Sequence, residues 1–303
     1  MKPDLSVALF GTTFRNPVMG ASGTVGYGLE LLPYVKDLGR IGAIVTKGIS
    51  ADPREGNDPP RLFETASGLL NSIGVQNIGA RRFIDEVIPE LEKYDTRIIV
   101  NVYGESFRDY RRVGEYFRDV GRVDALEINL SCPNVERGGL AFGLDPGAVK
   151  RVVKAVRKAS KKPVIAKLTP NVTDIRPLAR AAQSAGADAV SLVNTLMGMA
   201  VDVKNRRPFF KKVTAGLSGP AIKPVALRMV WQAAHAVTIP VIGIGGIMTG
   251  QDAIEFIMAG AWAVQVGTAN FVDPTACVTI VDGIEGYMRE NGIGNLREIR
   301  GII

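Results

Sequence analysis

Short apolar runs punctuate the chain, and a longer stretch with helical periodicity follows each of them. The runs include Ala43-Ile44-Val45, Ile98-Ile99-Val100, Ala125 to Leu130, Val164-Ile165-Ala166, Ala189-Val190-Ser191-Leu192-Val193, Val241-Ile242-Gly243-Ile244 and Ala263-Val264-Gln265-Val266. Near-continuous runs of this kind suit parallel strands covered on both faces. The pattern predicts strands beginning near Pro17, Gly42, Arg97, Asp124, Pro163, Asp188, Pro240 and Ala261. Helices are predicted near 28–38, 81–94, 105–120, 146–160, 174–185, 224–237, 250–259 and 273–290. Phe107, Tyr110, Val113 and Phe117 share one helical face, Asp145-Pro146 reads as a cap with proline in the first turn, and Thr173-Asp174 and Thr249-Gly250 open two further helices.

Successive βα units make an α/β fold, a (β/α)8 TIM barrel, the leading architecture, with residues 1–303 as one domain and a doubly wound sheet as the alternative. Residues 4–16 predict a hairpin, Val7 to Phe10 and Thr13 to Arg15 around a Gly11-Thr12 turn, able to plug the closed end of the barrel. Residues 49–80 and 195–223 are too long for plain loops and read as insertions after strands two and six. Connections of that length usually carry function or structure of their own.

Composition narrows the class. With 46% apolar and 22% charged residues, the chain reads as a soluble globular protein. No apolar run approaches the roughly 18 residues that span a bilayer, and no signal-peptide core follows Met1-Lys2-Pro3-Asp4. A cytoplasmic protein without a membrane association is the expectation. Two cysteines, Cys132 and Cys277, fit a reducing compartment and are too few for an all-cysteine iron–sulfur cluster. The single histidine, His235, lies in a helical pattern, which argues against a Ser-His-Asp triad or a histidine metal site. The net charge of +7 raises nucleic acid as a partner, but its basic clusters, such as Arg151-Lys154-Arg157-Lys158-Lys161-Lys162, lie on helix faces without interleaved aromatics. No nucleic-acid partner is expected, and a positive field serves small anions equally well.

The chemistry gathers where the strands end. Those ends read Ser22, Lys47, Asn101, Asn129 with Cys132, Lys167, Asn194 with Thr195, Gly245-Gly246 and Gly267-Thr268. Strand C-termini are the catalytic face of a TIM barrel, and the loops after strands seven and eight commonly bind phosphate. Glycine pairs there let several backbone N–H groups converge on one anion. Lysines ending two buried strands are costly without an anionic partner, which favours Lys47 and Lys167 as ligand groups. Amides such as Asn129 and Asn134 can fix the edge of a planar heterocycle. A thiol beside them, Cys132, is suited to nucleophilic or proton-transfer work, although a lone cysteine is more often a small buried apolar residue. In the first insertion, Asn71 and the backbone around Gly74 could grip a carboxylate and an amide. No GxGxxG opens the chain, so a Rossmann dinucleotide site is unsupported.

Along almost its whole length the chain resembles the dihydroorotate dehydrogenases. The matching motifs run from Asn16-Pro17-Val18 and Ala21-Ser22-Gly23-Thr24 through Asn71-Ser72-Ile73-Gly74-Val75, Asn129-Leu130-Ser131-Cys132-Pro133-Asn134, Lys167-Leu168-Thr169-Pro170-Asn171 and Asn194-Thr195 to Val264-Gln265-Val266-Gly267-Thr268-Ala269-Asn270. Cys132, in place of serine, is similar to the soluble class. Leu217-Ser218-Gly219-Pro220-Ala221-Ile222-Lys223 and Glu136-Arg137-Gly138-Gly139 resemble its NAD-linked, two-subunit type, class 1B, with Ala215 a departure where glycine is frequent.

The resemblance implies an FMN-containing TIM barrel that oxidises dihydroorotate to orotate in pyrimidine biosynthesis. Its partner subunit would carry FAD and a [2Fe–2S] cluster and pass electrons to NAD, in a heterotetramer built on a homodimer. It assigns the FMN phosphate to Gly245, Gly246, Gly267 and Thr268, with Gly219 close by. It assigns the rest of FMN to Ser22, Gly48, Asn101, Asn129, Lys167 and Val193, and sets Lys47 between flavin and substrate. Orotate falls to Asn71, Ser72, Ile73, Gly74, Val75, Asn129, Asn194 and Thr195. Cys132 would take the C5 proton as C6 passes hydride to flavin N5. Three other readings share parts of this pattern: the homodimeric, fumarate-linked class, an FMN barrel that reduces tRNA uridine and carries an added RNA-binding domain, and a flavin-binding scaffold without catalysis.

Overall fold

In a computed structural model of the chain, which describes residues 3–131, 133–134 and 140–303, parallel strands close into a barrel. They are β1 (Val18–Gly20), β2 (Ala43–Val45), β3 (Arg97–Val102), β4 (Ala125–Asn129), β5 (Val164–Leu168), β6 (Ala189–Leu192), β7 (Val241–Ile244) and β8 (Ala263–Val266). Each pairs with the next in chain order, and β8 closes on β1 through Val264↔Val18 and Val266↔Gly20. This is the (β/α)8 barrel that the alternation of runs predicts.

Period-two alternation divides every strand between two environments. Ile98, Val100, Leu126, Ile128, Val164, Ala166, Val190, Val264 and Val266 point outward into the core beneath the helices. Met19, Ala43, Val45, Ile99, Ala125, Ile165, Ala189, Ile242 and Ala263 point inward and fill the closed end of the barrel. Val7, Leu9 and Phe14 of the N-terminal hairpin join that inner cluster and seal it. The hairpin pairs Val7↔Phe14 and Leu9↔Thr12, so its turn is Phe10-Gly11, one residue earlier than the sequence suggests. Both turn residues have positive φ (40° and 79°), the twist that a two-residue hairpin turn requires.

Most outer helices follow their patterns. The helix Phe107–Tyr116 opens with a Ser106–Asp109 capping box and buries Tyr110 and Val113, with Phe117 just beyond its end. Asp145 caps Pro146–Ala159, and Thr249 with Asp252 forms a second capping box on Gly250–Met258. Three helices differ from expectation. Residues 28–38 form only short 3-10 turns, Leu29–Leu31 and Leu38–Arg40, because Pro33 has no N–H to carry a helix through. The 81–94 helix contains a π segment, Phe83–Val87, just before Pro89, where the regular hydrogen-bond ladder cannot run on. The helix Arg176–Ser184 has Ile175, not Thr173 or Asp174, at its cap position, while Asp174 accepts from the Arg176 amide.

The two insertions meet. Strands Leu62–Thr65 and Gly68–Asn71 from the first join Leu196–Gly198 and Ala215–Ser218 from the second in one antiparallel sheet, spliced by Gly216↔Asn71 and Ser218↔Leu69. Leu70, Ala200, Phe210 and Ala215 give this sheet a small core of its own. No helix among the described residues is long and apolar enough to cross a membrane.

Candidate active site at the open end of the barrel

Above the apolar layer, the inward positions turn polar. Along β4 they read Ala125, Glu127, Asn129; along β3 Ile99, Asn101; along β5 Ile165, Lys167; along β6 Ala189, Ser191; along β8 Ala263, Gln265. The same alternation that plugs one end of the barrel thus delivers amides and charges to the other. Over this floor lies a cavity of about 450 Å³, roofed by the insertion sheet.

The cavity wall gathers Ser22, Lys47, Gly48, Asn101, Asn129, Lys167, Val193, Gly219, Gly245, Gly246, Gly267 and Thr268 with Asn71, Ile73, Gly74, Val75, Asn194 and Thr195. Ser72 is the exception among the described candidates. Its amide donates to the Arg61 carbonyl and its hydroxyl accepts from Asn57, so it braces the insertion instead of lining the cavity. Cys132 and residues 136–139 lie outside the described residues.

The floor is a network around Glu127, a carboxylate with no solvent exposure. Asn101 donates to its Oε1 at 2.8 Å, Ser191 and Gln265 donate to Oε2 at 2.8 and 2.6 Å, and Lys167 Nζ lies 3.6 Å from Oε1. A carboxylate only accepts, so it commits the Asn101 –NH2 to the floor and leaves Oδ1 free to face elsewhere. Among the described residues no donor reaches that buried Oδ1, which borders Gly48 on the cavity wall. The expectation that Lys167 needs an anion is met in part from within, by Glu127, whose alternation with Asn129 in Leu126-Glu127-Ile128-Asn129 was the available signal.

At the rim, Asn194 donates to Asn129 Oδ1 at 3.1 Å, and the Tyr110 hydroxyl donates to the Asn129 carbonyl. Asn71 Nδ2 bonds the Gly216 carbonyl across the insertion sheet at 3.1 Å. Asn77 holds the loop before it: its Oδ1 accepts from the Ser50 and Gly79 amides and its Nδ2 donates to the Val75 carbonyl. Val75 is thereby kept at φ 54°, a left-handed conformation that β-branched residues rarely adopt.

Opposite, Gly219, Gly245-Gly246 and Gly267-Thr268 converge, with Thr268 donating to Ser218 Oγ at 2.8 Å. At Gly246 (φ 75°) a Cβ would lie 2.7 Å from Lys223 Cβ and 2.9 Å from the Gly219 carbonyl, so only glycine fits. Asn270 ties this corner down through the Val266 and Gly267 carbonyls and accepts from Cys277. Cys277 is fully buried, and burial pushes its thiol up to about 12, which suits packing.

Among the described residues Lys47, Arg61 and Lys167 are the charged side chains on the cavity wall, and no carboxylate lines it. Burial, with Arg61 in support, lowers the Lys47 ammonium below the ordinary lysine range, while Glu30 opposes that shift. Arg61 is held by neutral acceptors, the Asn57 and Glu55 carbonyls and Gln76 Oε1. Arg61, Gln76, Ser218 and Phe271 line the cavity without having been singled out from the sequence, since none ends a strand of the barrel.

The family model for dihydroorotate dehydrogenase matches residues 4–288. The dihydroorotate dehydrogenase B (NAD(+)) catalytic subunit of Geotalea uraniireducens is 56% identical over 302 residues, covering 100% of this chain and 99% of that protein. Its namesake from Geobacter sulfurreducens is likewise 56% identical over 302 residues, with the same coverage. That of Alkaliphilus metalliredigens is 54% identical over 300 residues, covering 99% of each chain. A match of this extent, on a barrel whose strand ends line one cavity, makes the chain a member of the dihydroorotate dehydrogenase family.

Proposed function

We propose that this chain is the catalytic half of an NAD-linked dihydroorotate dehydrogenase and oxidises dihydroorotate to orotate with FMN as its resident flavin. The observation that carries the reading is the cavity itself, with cations and no carboxylate on its wall among the described residues, a glycine cradle at one end and converging amides at the other. A flavin phosphate and a substrate carboxylate are the anions such a wall would take.

The cradle passes the fit test for a phosphate at Gly267, where an added Cβ would project into the cavity beside Ala21 and Thr24 of its wall, at 3.7 and 3.9 Å. The orphaned Asn101 Oδ1 passes it for a heterocycle, since it offers an acceptor to a ring N–H. Gly219, Gly245, Gly246, Gly267 and Thr268 would hold the phosphate. Ser22, Gly48, Asn101, Asn129, Lys167 and Val193 would hold the remainder, with Lys47 shared between cofactor and substrate. FMN would supply the hydride acceptor, chemistry that no side chain offers.

Asn71, Ile73, Gly74, Val75, Asn129, Asn194 and Thr195 would orient the substrate ring and its carboxylate under the insertion sheet, with Ser72 bracing that wall. Lys167 would stabilise negative charge that builds on the ring system beside it. Cys132 is our candidate for the base that takes the C5 proton. The reading extends to one domain over residues 1–303, a cytoplasmic setting, and an FAD- and [2Fe–2S]-bearing partner in a heterotetramer built on a homodimer.

Denaturing the purified chain and running the supernatant against flavin standards tests the cofactor: FMN is expected, and FAD, or no flavin after reconstitution, overturns the assignment. In rapid-mixing experiments Cys132→Ala should slow flavin reduction by dihydroorotate by roughly the 10²–10⁴ that a positioned base contributes, with FMN still bound. Undiminished reduction would remove Cys132 from that role.

A further inference from the structure

Glu127 has no exposure and does not itself line the cavity, but it contacts two residues that do, Asn101 and Lys167, and sits directly beneath them. Its two oxygens collect donors from four other strands of the barrel, Asn101 on β3, Lys167 on β5, Ser191 on β6 and Gln265 on β8. A barrel floor built for packing alone would repeat the Ala125, Ile165, Ala189 and Ala263 layer below it. A carboxylate in that place is costly to bury, and the cation beside it, Lys167, is 5% exposed. Lys167 also lines the cavity, so the pair joins the floor to the ligand.

We propose that Glu127 is a positioning residue, whose buried carboxylate offsets the positive charge of Lys167 and fixes its side chain at the floor of the cavity. The proposal deepens the assignment of that cavity to FMN and rests on it. Among the described residues the other ionisable side chains on the cavity wall, Lys47 after β2 and Arg61 in the first insertion, share the sign of Lys167 and offer it no counter-charge. Asn101 from β3 and Ser191 from β6 are neutral and spend their donors on Glu127. Among the described residues Glu127 is thus the anion that holds the Lys167 side chain in place before any ligand arrives.

The consequence is a particular behaviour on removing the carboxylate. In Glu127→Gln, burial and the neighbouring cations act on Lys167 unopposed, and both favour the neutral amine. The folded variant then releases a proton that the unfolded chain keeps, so its stability rises with pH. An anionic ligand prefers the ammonium, so its affinity falls over the same range. The two quantities move in opposite directions, and loss of packing alone gives neither trend.

The test follows the urea midpoint of the flavin-free chain and its affinity for FMN, by fluorescence titration, from pH 6 to pH 9. Wild type is expected to show no such paired trend. Glu127→Gln should gain stability as pH rises while losing FMN affinity by up to about tenfold per pH unit. In Glu127→Gln/Lys167→Met both trends should vanish. Trends in Glu127→Gln that match wild type would overturn the proposal, as would their persistence in the double variant.

Should Glu127→Gln fail to fold, recovery of a folded chain in the double variant supports the proposal, because the carboxylate is then needed only while the ammonium is present. Failure of both variants overturns it in favour of a scaffold role toward Ser191 and Gln265. If wild type takes up no FMN, the cavity assignment itself fails, and the stability measurements still decide whether Glu127 holds the charge of Lys167.

Discussion

Two glycines on the cavity wall would respond differently to a methyl group. Gly246 is left-handed and hemmed in by Lys223 and Gly219, so Gly246→Ala should strain the fold itself by about 1–3 kcal/mol. At Gly267 an added Cβ would meet only Ala21 and Thr24, at 3.7 and 3.9 Å, both on the cavity wall. Gly267→Ala should therefore leave the flavin-free chain as stable as before, or more stable by up to about 1 kcal/mol. Its methyl would enter space reserved for the ligand, and overpacking of about 1–3 kcal/mol corresponds to a loss of affinity of roughly five- to a hundredfold. Thermal unfolding and FMN titration on the same preparation check both halves, and unchanged affinity would move the phosphate away from this corner. Residues like these are legible in the sequence because they end strands, where the position alone marks the catalytic face. Glu127, Ser191 and Gln265 are harder to read: each is a polar residue inside an apolar run, and only closing the barrel shows that all three meet.

Elements came through the sequence reading as well as their local rules allowed. Barrel strands are visible because burial on both faces writes an unbroken apolar run, whereas the shift of the hairpin turn to Phe10-Gly11 depends on a positive φ at phenylalanine. The proline at position 33 signals that residues 28–38 cannot form one helix, and apolar periodicity alone overrides that signal wrongly. The loop 71–77 is the element with most at stake, since it contributes Asn71, Ile73, Gly74 and Val75 to the cavity. Asn77 organises it from behind, as a buried side chain that satisfies the Ser50 and Gly79 amides. Asn77→Ala strands both donors, at about 1–3 kcal/mol each, and frees Val75 from its left-handed conformation. Chemical denaturation should show that loss, and orotate binding should weaken while FMN binding holds. Equal weakening of the two ligands would mean that the loop supports the whole cavity and not its substrate side.

At the scale of the molecule, the apolar side chains among the described residues form three clusters: one beneath the helices, one inside the closed end of the barrel and a small one in the roof. The roof could not be read from sequence, because its strands come from segments some 145 residues apart, as the Asn71–Gly216 bond shows, and each insertion supplies only two of the four strands of that sheet. Leu217 packs against both the roof and the outer core, so the two are joined at an edge and not merged. Leu70 belongs to the roof alone, 3% exposed among Ala200, Phe210 and Ala215. Leu70→Ala should cost about 2–5 kcal/mol, the usual range for a buried leucine, and the question is where that cost falls. Separate clusters place it in local opening of the roof, since a small region can open below the free energy of global unfolding. Hydrogen exchange followed by mass spectrometry should then quicken in peptides covering 62–71 and 196–218, while those from β4 and β5 keep their wild-type rates. Substrate affinity should fall with it, because the roof carries Asn71 and closes over the amides at the rim. Exchange that quickens equally in barrel and roof would show instead that the molecule unfolds as one unit, with the roof as much a part of the core as the strands below it.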